Sequence, residues 1–467
     1  MSDAWNPFRL TAEDRFPAPL AAVVLLMFIA GTLDVGLHHE PWRDEADAWL
    51  AARDLPLAQM VPAWTAHAGT PALWYFALKV LVLLRLPYLA ETMTSLLFIW
   101  VAGATLLLAA PLTRLTKILL LASYFFAYEY AVIARSYSLA ILLIFLATTF
   151  YKSREAHPTR FAVTVALLFN TNVHGAIIAG LLLIISTIRS RVANAIMIAG
   201  ALLAFWQLHL PAGESNPLAM HGLQMNALTA LRDVFLPFAT TPWTALLSAI
   251  LIALIAISIR QSPRAVMLLL AALVALLGLY TAVWFGGLRA SGMILIAVIT
   301  SIWIADSVPV SITSKISALA LNVTLLFSAL FALGVAKADV AYAFSGSKEM
   351  AGFIDHRLDG YDIAAHNFYQ AEALLPYLPQ HKFFYIGLGE EGTYLKWNAA
   401  MRRGAAMPYD VAVIAAKQHF AKSKRPWLLL LNSKMPDPGR RGFRLIHATS
   451  VVVFRNLDER YWLYAPD

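Results

Sequence analysis

The sequence predicts a mostly α-helical membrane bundle of about 11 spans with a small α/β domain at its C-terminal end. Three observations predict it. Hydrophobic residues make up 60% of the 467 positions and charged ones 14%, with a mean hydropathy of +0.64; soluble domains carry about 45–50% and about 25%. Apolar runs long enough to cross, or nearly cross, a bilayer recur throughout residues 1–336. Residues 337–467 are a different material, with ordinary charge density and alternating helical and strand patterns.

Taken in order, the runs lie near 18–36, 92–111, 117–134, 137–151, 160–172, 174–188, 192–210, 242–260, 265–284, 290–306 and 315–336. After the first, Gly31-Thr-Leu-Asp-Val-Gly-Leu-His-His offers no small-residue cleavage site, so the run reads as an uncleaved anchor. The two runs flanking Asn172-Val173-His174-Gly175 are short, and read as helices that meet in a polar cavity. Residues 71–84 are either a twelfth span or a helix in the interface. Loop cations decide. With the N-terminus cytoplasmic and 71–84 not crossing, Arg9, Arg15, Arg114, Lys117, Lys152, Arg154, Arg160, Arg189, Arg191, Arg260, Arg264 and Lys315 fall inside. A crossing at 71–84 would destroy that bias.

The expected organisation is a transmembrane domain, 1–336, with a large outer loop at 37–91 and an extracytoplasmic α/β domain at 337–467. A second outer loop, about 211–241, carries a weakly amphipathic stretch with Leu228, Leu231 and Phe235. In the tail, Ser345–Leu358, Phe368–Leu378 and Tyr409–Ser423 read as helices; Phe383–Gly387, Trp427–Asn432 and Ala448–Phe454 read as strands.

Several function classes drop out. There is no cysteine, which excludes disulfides, thiolate metal sites and thiol catalysis. The net charge of +8 splits evenly, +4 in residues 1–336 and +4 in 337–467, so no basic block suggests nucleic acid. No Walker-type Gly-rich loop points to ATP hydrolysis.

An ionisable residue near bilayer depth is a functional candidate, and here such residues gather at the outer ends of the spans. The first loop opens with His38-His39-Glu40-Pro41-Trp42-Arg43-Asp44-Glu45-Ala46-Asp47-Ala48-Trp49. Tyr128-Glu129-Tyr130 leads to Arg135-Ser136-Tyr137. Asn170, Asn172 and His174 occupy the next outer apex, and Arg289 follows Trp284-Phe285-Gly286-Gly287 at another. Sharing one membrane face, they are placed to line one cavity.

These motifs, in this order, resemble the GT-C glycosyltransferases, and within them the group of protein mannosyltransferases and the aminoarabinose transferase. Asp44-Glu45 resembles the first-loop acidic motif. His67-Ala-Gly-Thr-Pro-Ala-Leu-Trp-Tyr-Phe resembles the group's His-Pro-Pro segment, its core reduced to Thr70-Pro71 with His67 displaced. Arg135-Ser136-Tyr137 resembles its Arg-x-Tyr junction, and Asn172-Val173-His174 its Thr-His turn. The resemblance implies a polyprenyl-phosphate sugar donor, undecaprenyl-linked in a bacterial inner membrane. The acceptor would be a glycan, lipid or protein on the outer face.

Such transfer needs a base for the acceptor hydroxyl and cations for the departing phosphate. Asp44 is the leading base, and by position also an ordinary helix N-cap. Glu45 is its partner, an alternative base, or a first-turn acid that suits the helix dipole. Asp47 reads as solvated or paired with Arg43. Arg135 and Arg289 would hold the phosphate, with His174 as a further donor. Glu129, Tyr128, Tyr137, Trp42 and Trp49 would line the substrate cavity, although interfacial aromatic residues are common in any membrane protein. Asp44, Glu45 and Glu129 are compatible with a divalent metal, but no ligand-run spacing marks one, and no cofactor is otherwise indicated. The rival reading is a non-catalytic lipid or glycan transporter or flippase, which broken helices around Asn172 would also suit.

Overall fold

Proline and short polar breaks divide the apolar runs into separate helices in the computed structural model, which describes residues 5–12, 16–209, 226–237, 239–283, 285–358, 360–421, 423 and 425–467. Trp284 and most of the 211–241 loop lie outside the described residues. The first helix, α1 (Ala18–His38), starts behind Pro17. After it come α2 (Arg43–Asp54), α3 (Leu73–Leu83), α4 (Leu89–Ala109), α5 (Arg114–Ala122), α6 (Ser136–Tyr151), α7 (Pro158–Phe169), α8 (Val173–Ser186) and α9 (Arg191–Leu208). Then follow α10 (Asn226–Asp233), α11 (Trp243–Ser258), α12 (Pro263–Ala282), α13 (Leu288–Ile304) and α14 (Ile312–Ala341).

Among the described residues, α1, α4, α9, α12 and α14 are each long and apolar enough to cross a membrane, and α3, α6, α7, α8, α11 and α13 are shorter apolar helices. The chain is therefore a polytopic integral-membrane bundle. Leu26, Phe205 and Val274 are 63–74% exposed, as lipid-facing side chains are when no lipid surrounds them. By contrast α6 and α13 are buried on nearly every face and form the bundle's centre. The 11 residues of α3 cover about 16 Å, roughly half the hydrocarbon thickness. Helices α7 and α9 touch where Gly200 meets Ala166; an added Cβ would lie 2.6 Å from the Ala166 Cα, the close approach that small residues permit between membrane helices.

The predicted span 117–134 is not one helix. It breaks at Ser123 and continues as a wide π-turn, Phe125–Glu129. The Leu120 carbonyl accepts both the Ser123 hydroxyl, at 2.6 Å, and the Ser123 N–H, at 3.2 Å, which closes the helix end at the break.

The tail folds as α15 (Ser347–Arg357) and a six-stranded sheet: β1 (Asp362–Ala365), β2 (Phe383–Tyr385), β3 (Glu390–Gly392), β4 (Trp427–Leu431), β5 (Phe443–Ala448) and β6 (Trp462–Pro466). The strand order is β3-β2-β1-β4-β6-β5, with β2, β1 and β4 parallel. A further helix, α16 (Tyr409–Phe420), packs Val413, Ala416 and Phe420 on one face of the sheet. Two predictions need correction. Ala448–Phe454 is not a strand beyond Ala448, since only Val453 makes an isolated bridge, to Ala343. The strands there are β5 and β6, paired antiparallel with a register shift between Leu445 and His447. Phe368–Leu378 is only a short α-turn followed by a 3-10 turn.

Candidate functional site

Helix α2 carries the first-loop acids, and its own sequence fixes which way they face. Trp42, not Asp44, occupies the N-cap, so Asp44 is the second residue inside the helix. Glu45 points away from the cavity into a buried polar strut. Its Oε1 accepts the Ala134 backbone N–H at 2.6 Å, while Oε2 accepts the Trp42 N–H at 3.2 Å and lies 3.1 Å from His39 Nε2. His39 Nδ1 lies 2.8 Å from Asp339 Oδ2 on α14, which also accepts the Tyr128 hydroxyl at 2.8 Å. Burial works against a charged His39, but the two carboxylates outweigh it and raise the imidazole to about 10, so it is an imidazolium that donates from both nitrogens. The strut sets the helix rotation, and through Ala134 it brings Arg135 to the opposite face of the same helix end.

On that face lies a cavity of about 280 Å³. Asp44, Asp47 and Arg43 come from α2 and Trp42 from its N-cap; Gly69 and Thr70 from the segment leading into α3 and Tyr75 from α3 itself; Arg135 and Tyr137 from the start of α6. Asn172 and His174 open α8, and Trp397 belongs to the C-terminal domain. Local hydrogen bonds hold these pieces together. Asn172 caps α8 by accepting the Gly175 N–H at 2.8 Å and donates to Ser136 Oγ at 3.3 Å, which joins the starts of α6 and α8. Gln207 Oε1 accepts the Ala72 N–H at 2.7 Å, and the Asn170 carbonyl accepts that of Leu73 at 3.1 Å, anchoring the α3 approach.

Around Asp44 the charge is unbalanced toward the positive. Asp44 Oδ2 is 2.6 Å from Arg135 Nη1 and 3.4 Å from Arg289 Nη1, and Oδ1 is 3.7 Å from Arg43 Nε. Burial alone would raise the Asp44 carboxyl, but these three guanidiniums hold it below the usual carboxylate range. Among the described residues, both ring nitrogens of His174 and the indole N–H of Trp42 are buried without a hydrogen-bond partner. Buried polar groups in proteins are normally satisfied. Donors left open around one cavity are therefore set for an anionic, hydroxyl-rich ligand. His174 packs between Tyr137 and Tyr280, with centroids 5.4 and 5.7 Å away and rings tilted by 43° and 45°.

The other candidates sit behind this wall. Arg289 bridges Asp44 to Glu129, with Nε 3.4 Å from Glu129 Oε1, and lies over the Trp42 ring. Glu129 is buried and also pairs with Arg455 of the tail at 3.3 Å. Tyr128 belongs to the strut. Trp49 packs against Tyr88 in a separate cluster, off the cavity. Asp47 is half-buried and is not paired with Arg43. It lines the cavity and accepts the Trp397 indole N–H at 3.1 Å, while Arg43 turns to Asp44 and Asp458. Trp397 closes the cavity instead of standing on an open α/β surface. The i, i+3 spacing of Asp44 and Asp47 was the signal available for Asp47. Among the described residues no group of three or more His, Asp or Glu side chains is arranged to hold a metal.

Two solved structures share this fold over almost their whole length. ArnT from Cupriavidus metallidurans bound to undecaprenyl phosphate matches at a TM-score of 0.60 and 12% identity, covering 96% of this chain and 97% of that one. The same protein in its apo state matches at 0.57 and 12%, covering 95% and 98%. No family model and no curated protein matches the sequence.

Proposed function

We propose that the chain is a membrane glycosyltransferase that moves a sugar from a polyprenyl-phosphate donor to an acceptor on the outer face. One observation carries the proposal: a walled cavity in which the Asp44 carboxylate is ringed by Arg43, Arg135 and, from behind the wall, Arg289, beside the open polar groups of His174 and Trp42. A lipid phosphate supplies the missing negative charge. The fold shared with a structure bound to undecaprenyl phosphate supports the same ligand class.

In this reading Arg135, and Arg289 behind it, take up the charge that grows on the phosphate as the anomeric bond breaks. A carboxylate of α2 accepts the acceptor's hydroxyl proton. The transition state resembles an oxocarbenium ion, which the same carboxylates stabilise. The positive-inside pattern supports a cytoplasmic N-terminus, a non-crossing α3, and an outer cavity roofed by the domain of residues 337–467.

The test is reconstitution of the full chain in nanodiscs with defined undecaprenyl-phosphate sugars and candidate glycan, lipid and protein acceptors. Sugar transfer with release of undecaprenyl phosphate is the expected result. Movement of the lipid across liposomes without any transfer overturns the enzyme in favour of a transporter.

A further inference from the structure

Two carboxylates of α2 reach the cavity one turn apart, and they keep different company. Asp44 is clasped by three guanidiniums, the closest at 2.6 Å. Asp47 has one hydrogen-bond partner among the described residues, the Trp397 indole, which binds Oδ1 and leaves Oδ2 open to the cavity. A carboxylate spread over several cations is a weak base. One held at a single oxygen is oriented and still has a lone pair to offer.

We infer that Asp47 is the base that takes the acceptor's proton, that Trp397 is its positioning residue, and that Asp44 occupies the phosphate site until the donor arrives. The inference rests on the glycosyl-transfer reading above. The step balances. The acceptor hydroxyl passes its proton to Asp47 Oδ2 as its oxygen bonds the anomeric carbon. The bond from that carbon to the phosphate oxygen breaks, and its electron pair leaves on polyprenyl phosphate, held by Arg135 and Arg289. Asp47 then returns the proton to water.

The surroundings agree. Burial pushes the Asp47 carboxyl up to about 7, against the pull of the Trp397 indole and Arg135 and with the push of Asp44, and a base works best near the operating pH. Tyr75 on α3, Glu91 on α4, and Glu372 and Tyr385 of the C-terminal domain also interact electrostatically with it. None of these is a cation, so Arg135 is the nearby charge that favours the ionised form of Asp47.

The experiment follows transfer by the full chain in nanodiscs from an undecaprenyl-phosphate sugar, over pH 5–9. It compares wild type with Asp47→Asn, Asp47→Glu, Asp44→Asn and Trp397→Phe. Asp47→Asn should lower kcat about 100-fold or more while the donor KM stays within about threefold, and Asp47→Glu should recover part of the loss. Trp397→Phe removes a hydrogen bond to the ionised form, so the acidic limb of kcat should move upward by about one pH unit. Loss of folding in Asp47→Asn leaves the Asp47→Glu rate and the Trp397→Phe limb to decide. Near-wild-type turnover in Asp47→Asn overturns the inference, as does an acidic limb that stays put in Trp397→Phe and vanishes in Asp44→Asn. Neither result touches the glycosyl-transfer reading. A wild type that transfers nothing overturns both.

Discussion

Replacing Asp44 by Asn should tighten the binding of undecaprenyl phosphate. Asp44 lies 2.6 Å from Arg135 and 3.4 Å from Arg289, the cations assigned to the phosphate, so an incoming phosphate competes with an anion already there. A charge pair at about 4 Å interacts by up to about 4 kcal/mol at an effective dielectric near 20. The Asp44 side chain is 29% exposed, and solvent screening reduces the net effect to about 1–2 kcal/mol. Asparagine keeps the shape and removes the competitor, so Kd should fall by about 5- to 30-fold. The assay is a titration of undecaprenyl phosphate into nanodisc-embedded wild type and Asp44→Asn, read by tryptophan fluorescence at 50 and 500 mM salt. The advantage of the variant should shrink at the higher salt. Equal or weaker binding by Asp44→Asn would refute the idea that the carboxylate and the phosphate share one set of cations.

Other expectations follow from the same geometry. Arg135→Ala should weaken undecaprenyl phosphate by about 10-fold or more in that titration, since it removes a charge-assisted donor. Glu45→Gln should destabilise the fold by about 3–5 kcal/mol, because it leaves the His39 imidazolium with one buried partner; a lowered melting temperature in detergent checks it. His39 is raised to about 10 from an unfolded value near 6.5. Its stabilisation is therefore complete below pH 6.5 and lost as pH climbs through about 10. The melting temperature of wild type should fall across that window by more than that of His39→Gln. Gly200→Leu should cost about 1–3 kcal/mol by forcing α7 and α9 apart, visible as earlier unfolding with little change in donor KM.

The bundle was legible because apolar run length acts locally along the chain. The break at Ser123 was not, because Tyr124-Phe-Phe-Ala-Tyr is as apolar as a continuous helix would be; the turn is fixed by α14, where Ser328 Oγ accepts the Tyr124 N–H at 3.1 Å. Strand β1 escaped notice because Ile363-Ala-Ala has little strand character of its own and is held between β2 and β4. At the site, Asp44, Arg135 and His174 could be picked out as polar residues at one membrane face. Glu45 could not be told from a dipole-favoured acid, because its partners Ala134 and Asp339 lie far along the sequence. Asp47 looked solvated for the same reason: its partner is 350 residues away.

That separation bears on when the protein becomes active during its synthesis. The acids of α2 emerge early, whereas Trp397, Arg455 and Asp458, which hold Asp47, Glu129 and Arg43, come from the final part of the chain. Every span can be inserted while the cavity still lacks its roof. On the glycosyl-transfer reading, a ribosome-bound intermediate would lack the partner that positions Asp47, and turnover would begin only after residues 337–467 had folded onto α2. Folding of that domain becomes the switch, and a fragment without it stays silent.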